Sequence, residues 1–437
     1  MANQTTTALD IREINHFSAL GVMMALFFVI GAITSLNDIL IPHLKELFSL
    51  SYTEAMLVNF SFRLAYLLVS LPAGKIIGKL GFKKGIVIGL TTAGLGCLAF
   101  YPAASVEVYA IFLLALFIVA SGFTFLQVSV NPYVSILGKP ESASSRLNLT
   151  QAFDALGTTV GPYVGSLFIL SIAVKPESKL RLLSPKQFGL YELAEARSVQ
   201  FPYLGLAGVL LVIALILALL KLPPIKHGQS PIFGKDGKRY DEVHKSAWGY
   251  KHLYLGAIGI FVYVGAEASI GSFLVNYLGS HCVLSMPASG AGKLVAFYWG
   301  GAMIGRFIGS GLQKKIKPAS MLIFNASVAA ILVIASMLTF GYTAMWTILL
   351  VGLFNSIMFP TIFSLAISGV GKHTSQASGI LCMAIVGGAV IPVLQGVLAD
   401  RIGIHHAFLI PVVCYSYIVF YGLKGHKISY HVQSVKA

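Results

Sequence analysis

Charge is scarce in this sequence. Asp, Glu, Lys and Arg make up 11% of the 437 residues, and only 16 residues are acidic, whereas a soluble domain is normally about a quarter charged. That deficit excludes an ordinary soluble globular protein. Cysteine is sparse as well. Cys97, Cys282, Cys382 and Cys414 lie in or beside separate apolar runs, with neither metal-ligand spacing nor a disulfide framework, so packing is their expected role. A phosphate-cradling glycine loop is missing, since no strands are expected to precede one. His405 and His406 are adjacent but have no partners at ligand spacing. With no catalytic constellation, neither an enzyme nor a bound cofactor or metal is expected.

Apolar sequence is what the chain has in quantity, 56% of all residues. Runs such as 17–37, 84–103, 108–126, 203–220 and 319–340 are each long enough for a bilayer-spanning helix of roughly 20 residues. Twelve spans are expected, near 17–42, 53–77, 84–104, 107–137, 147–172, 201–221, 250–278, 292–312, 319–340, 344–369, 375–399 and 405–423. The N-terminus, MANQTTTALDIREINHF, is polar, and the first apolar run is too long for a signal-peptide core. The formal charge of +15 could suggest nucleic acid, but its distribution argues against that. Lys75, Lys79, Lys83 and Lys84 follow the second run. Lys221, Lys226, Lys235, Lys238, Arg239, Lys245 and Lys251 separate the sixth from the seventh. Arg306, Lys314, Lys315 and Lys317 lie around the end of the eighth, and Lys424, Lys427 and Lys436 form the tail. These alternate connections share one side of the membrane, and the positive-inside rule makes that side cytoplasmic, with both termini.

The two halves of the chain repeat. Asp38 in span one matches Glu267 in span seven at an offset of 229, Pro132 matches Pro360 at 228, and Pro162 matches Pro392 at 230. Gly78 with Lys83 and Lys84 matches Gly309 with Lys314 and Lys315 at 231. A shared offset across four span pairs predicts an N-terminal six-helix half over 1–221, a polar cytoplasmic linker over 222–249 and a C-terminal half over 250–437. Two parallel six-helix repeats resemble the major facilitator architecture, in which the site lies between the halves near the midplane. The expected fold is all-α.

Ionisable residues inside spans are costly and usually face a cavity or a partner. Asp38, Arg63, Asp154 and Glu267 are the ones that stand out. Span four carries Thr124, Gln127, Asn131 and Ser135 at steps of three and four. Span five carries Asn148, Gln151, Asp154 and Thr158 in the same way, and span two carries Asn59, Arg63, Tyr66 and Ser70. Each set occupies one helix face, so it either lines a polar cavity or bonds neighbouring helices together. Along their helices Gln127 lies ~16 Å from Gly138, Glu267 ~24 Å from Lys251 and Asp154 ~12 Å from Arg146, all inside the hydrocarbon slab. Asp38 is four residues before Pro42, and on position alone it is either a helix-end residue or part of a site. An arginine stays charged and should find a carboxylate when buried. Asp38 is the nearest to Arg63 by topology.

The stretches NDILIPHLKELFSL, SLPAGKIIGKLGFKKGI, VNPYVSILGKPESASSRLNLTQAF, YVGAEASIGSFLVNYL, GRFIGS and NSIMFPTIFSLAI resemble the fucose/glucose/galactose permease family, in order and over nearly the whole chain. VGAEASIGSFLVNYL and FNSIMFPTIF lean toward its glucose/galactose members. The resemblance implies a monosaccharide imported with a cation, usually a proton and conceivably sodium, by a monomer in the bacterial inner membrane. It puts the family's span-one aspartate on Asp38 and its span-five glutamine on Gln151. Two departures stand out. Gln127 occupies the place of the family's span-four carboxylate, and Asp154 occupies the place of an asparagine. The proton site has then either moved to Asp154, or coupling is weakened to facilitation. A run in span five, GTTVGPYVG, also resembles the signature of drug/proton antiporters, which keeps an exporter as the rival. Proton coupling is expected from Asp38, Asp154 and Glu267, with Arg63 as a charge partner. Sugar binding is expected from Gln127, Asn131, Asn148, Gln151 and Asn355.

Overall fold

The computed structural model describes residues 18–35, 52–106, 108–169, 200–220, 222–223, 232–233, 239–240 and 244–428. Twelve helical spans occupy them: α1 (Ser18–Ser35), α2 (Tyr52–Leu80), α3 (Phe82–Val106), α4 (Tyr109–Ile136), α5 (Ala143–Ile169), α6 (Gln200–Leu219), α7 (Lys251–Gly279), α8 (Ala288–Leu312), α9 (Pro318–Leu338), α10 (Gly341–Ala366), α11 (Gly371–Ile402) and α12 (Ile404–Gly425). Ten of these are long and apolar enough to cross a bilayer. The remaining two, α5 and α8, carry the polar faces that meet at the centre. Asp38 lies outside the described residues, as does any contact it makes with Arg63.

The expectation of no strands fails in one small place. Ile232–Phe233 and Arg239–Tyr240 form an antiparallel ladder in the connection between α6 and α7. This connection rejoins the bundle at a 3-10 turn, Ala247–Gly249, where the Ala247 amide donates to the Gln376 side chain at 2.9 Å. Leu215, Leu219, Val393 and Val413 are exposed. On a water-soluble protein that much exposed apolar area would mark an interaction surface. On a bundle of spanning helices it is the face that lipid covers. Of the cysteines, Cys97, Cys382 and Cys414 are buried, but Cys282 is exposed, so packing does not describe all four.

Local chemistry fixes the breaks. Gly81 (φ +88°) joins α2 to α3 and Gly138 (φ +100°) follows α4. Both adopt the left-handed conformation that closes a helix at low cost only without a Cβ. After Gly138, Arg146 turns back over the end of α4. It donates to the carbonyls of Val134 (3.2 Å), Ser135 (2.8 Å) and Lys139 (2.8 Å), satisfying acceptors a helix end leaves open. Lys83 does the same for α6, with Nζ 2.8 Å from the Ala218 carbonyl. Lys83, from the lysine pair after span two, thus anchors one helix end to another.

The halves meet along two helix pairs, α2 with α11 and α5 with α8. Across α2–α11 the backbones nearly touch. A Cβ on Gly74 would lie 2.7 Å from the Ser375 carbonyl oxygen, and one on Gly379 2.7 Å from that of Ser70. Across α5–α8 the contacts are polar. Ser145 Oγ donates to the Ser310 carbonyl at 2.6 Å, and Asn148 Nδ2 to Gln313 Oε1 at 2.6 Å. Beside that seam, Ser144 of α5 and Ser364 of α10 share a hydroxyl hydrogen bond of 2.5 Å. These bonds lie toward the basic side of the bundle, which they close.

Candidate functional site

Two prolines prepare the site. A helical proline has no N–H, so the carbonyl four residues earlier loses its partner, and lipid offers no substitute. Pro132 in α4 frees the Val128 carbonyl, which accepts from Ser378 Oγ of α11 at 2.8 Å. Its counterpart Pro360 in α10 frees the Ser356 carbonyl, which accepts from Arg306 Nε of α8 at 3.2 Å. At that point α10 divides into Gly341–Asn355 and Met358–Ala366. The prolines that mark the internal repeat therefore each expose a backbone acceptor, and a polar side chain from a neighbouring helix fills it.

In the N-terminal half the amides form a chain. Asn131 Nδ2 donates to Gln127 Oε1 at 2.7 Å, and Gln151 Nε2 donates to Asn131 Oδ1 at 3.3 Å. Asn131 and Gln151 are buried, whereas Gln127 is partly accessible. Other members of the polar stripes have local partners. The hydroxyls of Thr124, Ser135 and Thr158 bond back to the carbonyl four residues earlier, as Ser and Thr in helices often do. Asn148 is fully buried in the α5–α8 seal, with Gln313 and Thr361 (3.5 Å) as neighbours. It thus stands apart from the amide chain of Gln127, Asn131 and Gln151.

The C-terminal half supplies the charge. Glu267 Oε1 accepts from Tyr263 at 2.8 Å and faces Arg306 Nη2 at 3.7 Å. Tyr298 donates to the Glu267 carbonyl at 3.4 Å, and Asn355 is clamped between Tyr298 and Tyr415, both at 2.7 Å. Asn355 is fully buried in this tyrosine network. Arg306 also crosses between the halves. Its Nη1 donates to the Gln151 carbonyl at 3.4 Å, and its charge couples to Asp154 as well as to Glu267. Arg306 thereby pairs with Glu267 in its own half and lies within electrostatic reach of Asp154 in the other. Arg63 reaches the opposite way, from α2 to α11. A Cβ on Gly388 would sit within 3 Å of the guanidinium, so the second glycine of the Gly387–Gly388 pair makes the space for it.

Sequence reasoning grouped Arg306 with the loop lysines, and the structure corrects this. Arg306 sits six residues inside the end of α8, ~9 Å along the helix axis. The signal was present, since Glu267 in an apolar span needs a counter-charge and Arg306 lies within the expected eighth span. Nothing in the sequence pointed to Tyr263, Tyr298, Tyr415 or Gln313. Tyrosines are ordinary core residues until their hydroxyls are seen to converge.

A bundle of spanning helices in two repeated halves, with charge held at their meeting face, defines a multi-pass membrane transporter. The profile of the Major Facilitator Superfamily matches residues 23–385, and the chain belongs to that superfamily, whose members are transporters and not enzymes. It is similar to the "Glucose/galactose transporter" of Brucella abortus biovar 1, 54% identical over 94% of this chain and 95% of the relative. It is also similar to the "L-fucose-proton symporter" of Escherichia coli (strain K12), 33% identical over 92% of this chain and 91% of the relative. Among solved structures, the crystal structure of the transporter FucP in the outward conformation superposes with a TM-score of 0.85. The two are 30% identical, over 94% of this chain and 99% of that one.

Proposed function

We propose that this protein imports a hexose together with a cation, ordinarily a proton, by alternating access across a bacterial inner membrane, and that it acts as a monomer. The names of the Brucella and Escherichia relatives support the sugar class. The amide chain Gln127–Asn131–Gln151 offers donors and acceptors suited to sugar hydroxyls. Asn148 and Asn355 contribute in other conformations, when the seal and the tyrosine network open. The basic side is cytoplasmic, so the closed α5–α8 seal belongs to a state open to the outside, consistent with the outward conformation of FucP.

The observation that carries the coupling is the arrangement Asp154–Arg306–Glu267 between the halves. Glu267 is held by Tyr263 and Arg306 and serves as the fixed charge. Asp154, on the other half, has no hydrogen bond to its carboxylate among the described residues, and it takes up the proton. A neutral Asp154 releases its hold on Arg306. The guanidinium can then leave the Gln151 carbonyl, next to the sugar amides, so proton and sugar binding act on the same α5 segment. Arg63 serves as a second cross-half cation, and Asp38 is the remaining carboxylate candidate.

Purified protein in proteoliposomes is expected to accumulate labelled glucose or galactose when a proton gradient is imposed with the outside acidic, the sugar following the protons inward. Asp154→Asn should abolish accumulation while leaving sugar counterflow. Counterflow and accumulation both intact in that variant would overturn the assignment of Asp154. Accumulation driven by sodium alone would replace the proton, and equilibration without accumulation under either gradient would make the protein a facilitator, as Gln127 in place of a carboxylate favours. Dye efflux without sugar uptake would establish the exporter instead.

A further inference from the structure

A cavity apart from the central site opens on the lipid-facing surface between α8, α9 and α10. It measures about 400 Å³ and is bounded by Gly305, Gly309 and Leu312 of α8, Phe324 of α9, and Leu353 and Ile357 of α10, among others. Glycines create it. Gly305 and Gly309 let α10 lie directly on α8, so that a Cβ on either would meet Ser356 or Ile357 within 3 Å. The groove this leaves beside the contact runs along α8 from Gly305 to Leu312, a rise of ~10 Å, and continues past the helix end to Ile316 in the turn. That rise is about two-thirds of one leaflet's ~15 Å share of a ~30 Å hydrocarbon core, a length suited to part of an extended acyl chain.

Charge marks one end. At the α8–α9 turn the groove reaches Leu312, Ile316 and Ser320, and Lys314, Lys315 and Lys317 lie exposed between them. Lys317 is also the N-cap of α9, which starts with Pro318 and has no side-chain cap. A 21-residue helix with an uncapped N-terminus carries a partial positive charge that favours phosphate. Three exposed lysines and a helix N-terminus thus stand in the turn where the apolar groove ends.

We propose that this groove binds an anionic phospholipid from the leaflet on the basic side, with one acyl chain along α8 and α10 and the phosphate at Lys314, Lys315 and Lys317. Basic pockets between spanning helices on that side suit such headgroups. The inner end of the chain rests against Ser356, whose carbonyl holds Arg306. The lipid therefore packs against the α10 break that positions the central guanidinium.

The test uses the full chain in nanodiscs containing phosphatidylcholine and phosphatidylglycerol, followed by native mass spectrometry of the lipids retained on release. The expected result is at least a threefold preference for retained phosphatidylglycerol. That preference should be lost in Lys314→Gln/Lys315→Gln/Lys317→Gln. It should also be lost in Ser320→Trp, which fills the mouth of the groove and leaves every lysine in place. Phosphatidylglycerol added to detergent-purified protein should raise the Tm of the unaltered chain and not that of either variant. Equal retention of the two lipids by the unaltered chain would overturn the proposal. So would a preference that survives in the triple variant, or one that survives in Ser320→Trp, because lysines alone would then explain it.

Discussion

The two seams between the halves occupy equivalent places in the repeat and are built from opposite materials. Along α2–α11 the contact is backbone on backbone, with Gly74 and Gly379 each facing a carbonyl oxygen of the other helix. Along α5–α8 it is side chain on backbone or side chain on side chain, through Ser145, Asn148, Gln313 and Arg306. A glycine seam gains close packing and has little tolerance for added volume. A polar seam can exchange its partners for water when the halves rock apart, and each bond is worth only about 0.5–1.5 kcal/mol net. The difference suggests a division of labour. The glycine seam sets how closely the halves approach, and the polar seam sets how readily they part. The charge proposed to carry the proton sits at the inner end of the polar seam, where a small change in electrostatics can decide between states.

The largest expected effect comes from breaking the glycine seam. Gly379→Leu would place its side chain against the Ser70 backbone, which cannot move aside without separating α2 from α11. Uptake should fall at least tenfold. Cys382, one turn further along α11 and fully buried, should become reactive to an impermeant maleimide applied from the basic side, measured in a Cys282→Ser background. Gly388→Ala is the control on the same helix. Its added methyl meets the end of the Arg63 side chain and, at 3.0 Å, a methyl of Val264, side-chain atoms that can shift, so the loss should stay within a few-fold. Equal effects of the two substitutions would refute the distinction between backbone and side-chain contacts.

Next in size is the charge at the inner end of the polar seam. Arg306→Gln leaves the part-buried Glu267 without its counter-charge and should lower stability, seen as a marked drop in Tm. Arg306→Gln/Glu267→Gln should recover most of that stability, because no uncompensated charge remains, while gradient-driven accumulation stays lost. Recovery of transport along with stability would remove Arg306 from the mechanism.

The smallest effects belong to the neutral bonds of the polar seam. Asn148→Ala strands the Gln313 amide oxygen in a buried site and should weaken the closed state by ~1–3 kcal/mol, whereas Ser145→Ala should cost only ~1 kcal/mol. Because Asn148 and Gln313 share one bond, Asn148→Ala/Gln313→Ala should cost less than the sum of its parts. Cys382 reactivity from the basic side follows each shift. A strictly additive double variant would mean that the Asn148–Gln313 bond contributes nothing to closure.

Much of the architecture was legible in the residues alone. Long apolar runs can satisfy their backbone in lipid only as helices, so composition and spacing were enough for an all-helical, twelve-span chain. The shared offset of Pro132 and Pro360 revealed the repeat. Part of the site was legible too, since Gln127, Asn131 and Gln151 have helical spacing, and the structure joins them in one hydrogen-bonded chain. The limits were physical. Helical periodicity assigns a residue to a face without saying what faces it. Asn148 and Gln151 share a stripe on α5, yet one enters the seal and the other the amide chain.

The sequence by itself determined that the chain folds as spanning helices in two related halves, because that follows from local hydropathy and from proline and glycine positions along one strand of polymer. Only the tertiary structure decided the partners. It turned Arg306 from one of a group of basic residues into the cation between Asp154 and Glu267, and it showed that the carbonyls freed by Pro132 and Pro360 are taken up by Ser378 and Arg306. Those pairings join residues between 50 and 250 positions apart. Their energies depend on distance in space and on exclusion of water, and neither quantity is written along the chain.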